Sequence, residues 1–247
     1  MEERDNIIKS AKKIFHILEV LTNNTSASVS ELSKISGYTM STIQRIVNTL
    51  VDLKYVKQDP ETLKYSVSYK LYALGQRLEY KDKLIETARP YLKVLAQDLK
   101  ETVNIGVIED QELIYIDKLV SKEPLRIELS IGTGAPFYCT GLGKTIAAFS
   151  SMNLENIKFK KYTVNTISSP AKLREELGKI RERGYGVDDE EYKEGLYCIA
   201  VPILSSEGKA IAAISISFPK FRMTEQKNHL IVARLKAAAA EISARLY

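Results

Sequence analysis

Cysteine and histidine are scarce in this 247-residue chain: Cys139 and Cys198 are its thiols, His16 and His229 its imidazoles. Two cysteines build no disulfide framework and point to a reducing compartment, so the cytoplasm is the expected location. With no CxxC or HxxxH spacing, no transition-metal site is expected. No apolar run approaches about 20 residues, so nothing is predicted to span a membrane. The charged start MEERD carries no apolar core segment, so no signal peptide is expected. The chain also lacks a block of one charge sign. Its net charge is +5, and Met1–Gly75 holds 10 Lys+Arg against 8 Asp+Glu while the remainder holds 26 against 23. The basic excess permits a polyanionic partner without concentrating at either end. Repeats and low-complexity tracts are absent too. Hydrophobic content of 45% and charged content of 27% are those of a globular protein, and the length suits two domains.

What is present begins with Ser28–Leu53, SVSELSKISGYTMSTIQRIVNTLVDL. Ser28 and Glu31 fit a capping box, Leu32 and Ile35 supply a buried side, and Gly37 ends the helix. A second helix starts near Thr39. Met40, Ile43, Val47 and Leu50 recur at helical spacing and face inward, leaving Ser41, Thr42, Gln44, Arg45 and Asn48 to solvent. That outer face is short, polar and almost free of acids, as a helix entering a major groove requires. A merely solvated polar face on a small helical unit satisfies the same pattern. Before this pair, residues 6–22 form a bracing helix with Ile7, Ala11, Ile14, Leu18 and Leu21 on one face. After it, Tyr55–Gln58 and Leu63–Val67 read as strands joined at Asp59-Pro60-Glu61-Thr62. A helix-turn-helix followed by a hairpin is a winged helix. Lys57 and Lys64 lie on the wing, within reach of phosphates.

Tyr69–Tyr80 reads as a helical connector, and Asp82 opens a helix lined by Ile85, Ala88, Leu92, Leu95 and Leu99 and kinked at Pro90. Domains are thus expected at 1–68 and 82–247, with a linker at 69–81. In the second domain, Thr102–Glu109 and Glu112–Leu119 form a hairpin about Asp110-Gln111, and Leu125–Ile131 continues the sheet. Thr140 caps a helix to about Ser150, and Ser169-Pro170 starts another that Gly184 stops. Strands follow at Tyr185–Val187, Tyr197–Leu204 and Ala210–Phe218, then a helix from Thr224. Hairpin-linked strands with segregated helices argue an α+β domain on a mainly antiparallel sheet.

Gly141-Leu142-Gly143-Lys144-Thr145 ends like a phosphate-binding loop, but the glycine required five residues before Gly143 is Tyr138. The segment instead opens a helix with small residues and free N–H groups, which favours an anion such as a carboxylate; tight helix–sheet packing explains the glycines equally well. Ser215 and Ser217 share one strand face and Ile214, Ile216 and Phe218 the other. Asp188 stands where a carboxylate can point into a cavity, or lie in a solvated acidic loop. A cysteine hydrolase using Cys198 or Cys139 lacks a nearby base, so no catalytic residue is assigned. A protein-interaction module remains the other alternative.

The run RGYGVDDEE…G…CIAVPI…AAISIS, preceded by TGLGKT and a winged helix, resembles the isocitrate-lyase regulator (IclR) family of transcription factors along essentially the whole chain. The resemblance implies a GAF-like effector domain behind a winged-helix DNA-binding domain, in a homodimer or homotetramer. It implies an effector pocket of Gly141, Leu142, Asp188, Cys198, Ser215 and Ser217, walled by Ile127 and Leu129, for a small organic acid. Operator DNA would meet Thr39, Ser41, Thr42, Gln44, Arg45, Asn48, Lys57 and Lys64. No cofactor and no enzyme activity are implied.

Overall fold

The computed structural model describes residues 7–75, 79–126, 131–132 and 134–247, with only the backbone of residues 79–82. The chain divides into two compact units, Met1–Glu79 and Tyr80–Tyr247.

The first unit contains α1 (Lys9–Thr22), α2 (Val29–Ser36), α3 (Met40–Asp52), β1 (Val56–Gln58), β2 (Tyr65–Val67) and α4 (Tyr69–Gly75). Ser28 caps α2 through a reciprocal box: its N–H donates to Glu31 Oε2 at 2.7 Å and its Oγ accepts from Glu31 N at 3.3 Å. Gly37 ends α2 at φ 74° and Thr39 caps α3, so a short turn joins the two helices. Ala27 exchanges backbone hydrogen bonds with Tyr65, adding a bridge to the two-stranded wing. Ile17, Leu21, Leu32, Ile43, Val47 and Leu50 fill the core with Val56 and Tyr65 from the wing.

Several apolar residues expected in that core lie outside it. Met40 is the first residue of α3 and projects beyond the packed turn, at 56% exposure, while Ile46 takes an inward position. Ile35, in the last turn of the eight-residue α2, is also exposed. Along α1 the buried stripe is Ile17, Val20 and Leu21 rather than one running from Ile7. Ile7 precedes the helix and is exposed, as are Ile8 and Phe15.

The second unit is α+β. After α5 (Glu79–Leu99) come β3 (Thr102–Glu109), β4 (Glu112–Leu119), β5 (Gly134–Pro136), α6 (Gly141–Ala148), α7 (Pro170–Arg183), β6 (Gly186–Asp189), β7 (Leu196–Leu204), β8 (Ala210–Pro219) and α8 (Glu225–Leu246). Six strands form one antiparallel sheet in the order β5-β4-β3-β8-β7-β6. Leu84, Ala88, Leu92 and Leu95 of α5 and Ile231, Leu235 and Ile242 of α8 cover one face, against Ile214, Ile216, Phe218, Ile199 and Val201. Leu142 and Ile146 of α6 meet the opposite face at Tyr115, Ala200 and Ala213, and α7 packs outside α6. In α5, Leu84 is buried where Ile85 was expected.

The strand expected at Leu125–Ile131 is not found at Leu125, Arg126 or Ile131; residues 127–130 lie outside the described residues. The edge strand is β5, three residues further on, ending at Pro136, whose missing N–H is tolerated at an edge. A bulge between Ile105 and Gly106 sets Asp117 opposite Ile105 and Tyr115 opposite Gly106. Period-two alternation would place Tyr115 and Asp117 on one face; the bulge separates them. Tyr115 packs under α6, while Asp117 faces Arg89 of α5 at 3.7 Å.

Candidate functional site

On the first unit, α3 presents Ser41, Gln44, Arg45 and Asn48 to solvent, and Thr42 half-buried. The N-terminal turn is pre-organised by hydroxyls: Thr39 Oγ1 lies 3.2 Å from Ser41 Oγ and 3.0 Å from Thr42 Oγ1. Gln44 Nε2 donates to Asn48 Oδ1 at 2.9 Å and to Tyr65 Oη at 3.2 Å, which fixes its amide on the outer face. Arg45 has no side-chain partner among the described residues and stands free. The two wing lysines differ. Lys57 is exposed, whereas Lys64 pairs with Glu31 Oε1 at 3.1 Å. The Ser28 amide, with Lys64 behind it, holds the Glu31 carboxyl down at about 2.

On the second unit, sheet register brings the C-terminal residues together. Asp188, Cys198, Ser217 and Thr102 follow one another across β6, β7, β8 and β3, and Ala200, Ser215 and Asn104 form the next row. All face α6. Gly141 opens that helix directly over the row: a Cβ there would stand 3.1 Å from Cys198 Sγ and 3.5 Å from the Asp188 amide. Gly143 is confined equally, since a Cβ would drive into the backbone of Phe137. Thr140 Oγ1 accepts from Gly143 N at 3.2 Å, leaving the Gly141 and Leu142 N–H groups without an acceptor among the described residues. The Leu142 side chain belongs to the core with Leu113 and Tyr115, so this residue offers the site its amide.

The polar groups between α6 and the sheet are buried and incompletely satisfied. Asp188 is 1% exposed, and its Oδ1 accepts from Glu191 N at 2.8 Å and Tyr192 N at 3.3 Å. Asn104 Nδ2 donates to Ser217 Oγ at 3.1 Å, while Asn104 Oδ1 and Ser215 Oγ have no hydrogen-bond partner among the described residues. Such groups are uncommon in a closed interior, and here two of them share the sheet face beneath the start of α6. Burial, with Glu191 nearby, raises the Asp188 carboxyl to about 7. Burial, then Asp188, pushes the Cys198 thiol up to about 12, and burial lifts Cys139 as well, so both stay protonated. Tyr115, raised by burial and then by Cys198 and Asp188, adds a neutral phenol to the same place.

Asn104 and Tyr115 are not legible in the linear pattern because their position depends on register and on the bulge. Lys144 is missed for another reason. It is wholly enclosed and paired with Glu191, so it is unavailable to a phosphate, in keeping with the incomplete loop motif. Ile127 and Leu129 lie outside the described residues. Among the described residues no cluster of His, Cys, Asp and Glu is arranged to hold a metal, and no helix is long and apolar enough to cross a membrane.

Residues 10–60 match the IclR helix-turn-helix domain and residues 78–244 the bacterial transcriptional regulator IclR C-terminal domain. The HTH-type transcriptional regulator KdgR of Escherichia coli is 36% identical, over all of this chain and 95% of its own length. The crystal structure of the Thermotoga maritima IclR superposes with a TM-score of 0.81 at 31% identity, covering 96% of this chain and 98% of that one. An IclR homolog from Microbacterium hydrocarbonoxydans, complexed with 4-hydroxybenzoate, shares the fold with a TM-score of 0.79 at 22% identity, over 95% of this chain and 98% of that one. The chain belongs to the IclR family: it is a DNA-binding helix-turn-helix transcriptional regulator, its DNA-reading domain ahead of an IclR effector domain.

Proposed function

We propose that this regulator releases or engages its operator in response to a small organic acid held between the start of α6 and the sheet row Asp188–Cys198–Ser217. The observation that carries the reading is the conjunction of two amides lacking an acceptor, Gly141 and Leu142, with the buried unpartnered oxygens Asn104 Oδ1 and Ser215 Oγ among the described residues. A carboxylate suits the amides and the positive end of the helix dipole. Hydroxyl donors on the same molecule suit the orphan acceptors. The complex of the Microbacterium homolog with 4-hydroxybenzoate, an acid carrying a hydroxyl, supports this chemistry.

At the other end, Arg45, Gln44, Asn48, Ser41, Thr42 and Thr39 contact the major groove and Lys57 the flanking phosphates. Residues 1–68 read DNA, 69–81 link, and 82–247 bind effector, in the cytoplasm. Ile7, Ile8 and Phe15 leave apolar surface along α1, which supports pairing of two copies. A dimer would read half-sites roughly 34 Å apart, or a multiple of that. The ligand acts through its differential affinity for two arrangements of the oligomer. The test is a thermal-shift screen of small acids, 4-hydroxybenzoate included, followed by operator-release measurements on DNA selected by the purified protein. Hits that raise the melting temperature and change DNA affinity support the reading; hits that do neither overturn it.

A further inference from the structure

Beneath α6 lies an ion pair that effector contact does not require. Lys144 is 0% exposed, and its ammonium bonds Glu191 Oε1 in the turn after β6. Glu191 Oε2 is buried and accepts no hydrogen bond among the described residues. A hidden pair of this kind loses about as much in desolvation as it gains in attraction, so it contributes little to net stability. Its connections are more informative. The Glu191 amide holds Asp188 Oδ1 at 2.8 Å. The Glu191 carbonyl accepts Thr166 Oγ1 at 2.7 Å, and Thr163 Oγ1 reaches the Glu190 carbonyl at 2.6 Å. One residue therefore joins the first turn of α6, the Asp188 carboxylate and the 163–166 segment.

We infer that Lys144 and Glu191 are positioning residues of the effector site, fixing the Asp188 carboxylate through the Glu191 backbone and setting the charge that an organic anion meets at the start of α6. The inference rests on the reading of that pocket as the effector site. The groups facing Asp188 are Lys144 from α6, Glu191 and Tyr192 from the turn after β6, Cys198 from β7, Cys139 before α6 and Tyr115 from β4. The thiols and phenols are neutral near pH 7, because burial raises each of them. Lys144 is thus the one cation of this group. With Asp188 ionised the cluster is net negative; with Asp188 protonated it is neutral. An arriving carboxylate favours the second state, so binding takes up a proton and weakens as the pH rises through about 7.

The decisive measurement is the titration of Asp188 in the full-length protein, followed by the carboxyl carbon signal of 13C-aspartate-labelled protein and assigned by its loss in Asp188→Asn. Glu191→Gln keeps the backbone clamp and removes one negative charge, so the Asp188 midpoint moves down, by about one pH unit. Adding Lys144→Met returns it upward, and Glu191→Asp restores the wild-type direction. Unmoved midpoints in folded Glu191→Gln and in the double variant overturn the positioning role. Calorimetry with 4-hydroxybenzoate and the other acids of the screen at pH 6 and pH 8 is the second arm. Affinity that falls several-fold between these values in the wild type and is flat in Asp188→Asn supports the inference; a pH dependence unchanged in Asp188→Asn overturns it. Failure of every acid to bind overturns the effector reading and is distinct, because the Asp188 titration needs no ligand.

Discussion

Lys64 of the wing and Glu31 of α2 are joined by a 3.1 Å ion pair, and the same carboxylate closes the capping box of α2 on Ser28. The wing is thereby tied to the helix that supports α3, and a lysine expected to meet phosphate already has a partner. Lys57, on the neighbouring strand, has none of these ties. The two lysines should therefore separate in a salt titration of operator binding. Lys57→Ala is expected to lower the slope of log K against log salt by about 1, as loss of one phosphate contact does. Lys64→Ala is expected to change it less, and Glu31→Gln, which frees Lys64, to steepen it. Equal slopes for the two alanine variants would assign both lysines the same role.

Arg45 offers the cleaner test of the reading helix. Its side chain is exposed and makes no hydrogen bond or ion pair among the described residues, so truncation should cost the fold little. Arg45→Ala should leave the melting temperature within error and weaken specific operator binding by about 1–3 kcal/mol, the range of one good base contact. Binding-site selection with the variant should show relaxed preference at one position of each half-site. Unaltered operator affinity would exclude Arg45 from the interface.

Much of this architecture is legible in the amino-acid sequence, and the exceptions have physical causes. The caps at Ser28, Thr39, Thr140, Ser169 and Thr224 and the stops at Gly37 and Gly184 are local devices, readable from adjacent residues alone. The β3–β4 hairpin is similarly local. Helix faces are less legible: Met40, Ile35 and Ile7 fit an apolar period yet sit at helix ends, because tertiary packing chooses which side of a short helix is buried. At the candidate site, Asp188, Cys198 and Ser217 can be named from motif, but their row across three strands depends on register. Tyr115 depends on a bulge, and the Lys144–Glu191 pair joins residues 47 apart. Nothing in a linear pattern encodes those meetings.

Ser215 and Ser217 make opposite demands on the pocket. Ser215 Oγ is buried without a partner among the described residues, so it is a cost to the fold and an asset to a ligand. Ser215→Ala should be neutral or slightly stabilising in a thermal melt while weakening effector binding by roughly 1 kcal/mol, about fivefold. Ser217 Oγ receives Asn104 Nδ2 at 3.1 Å. Ser217→Leu fills the pocket and strands that amide, so it should lower the melting temperature and abolish the response to effector, with specific DNA binding retained at temperatures where the fold persists. Retained response in Ser217→Leu would place the effector elsewhere.

Asp188 gives a pH test of the same site. Its carboxyl rises from 3.8 to about 7 on folding, chiefly through burial. The folded chain therefore holds a proton that the unfolded chain releases. The stabilisation from that proton is fully present below pH 3.8 and is lost as pH rises to about 7. Above that point a buried charge opposes folding, by on the order of 4 kcal/mol at 1.36 kcal/mol per pH unit of displacement. Asp188→Asn removes the charge, and its side-chain oxygen can still accept from the Glu191 amide. The variant should therefore be more stable than the wild type at pH 8, by about 1–4 kcal/mol in urea unfolding monitored for the effector domain. The advantage should shrink toward zero or reverse near pH 5, where the wild-type carboxyl is already protonated. Effector affinity in the same variant should lose its pH dependence and at pH 8 should match or exceed that of the wild type, because a neutral carboxamide receives an organic anion with no proton uptake. The same stability difference between variant and wild type at both pH values would mean that Asp188 is ionised in the folded protein throughout, and the proton linkage would go with it.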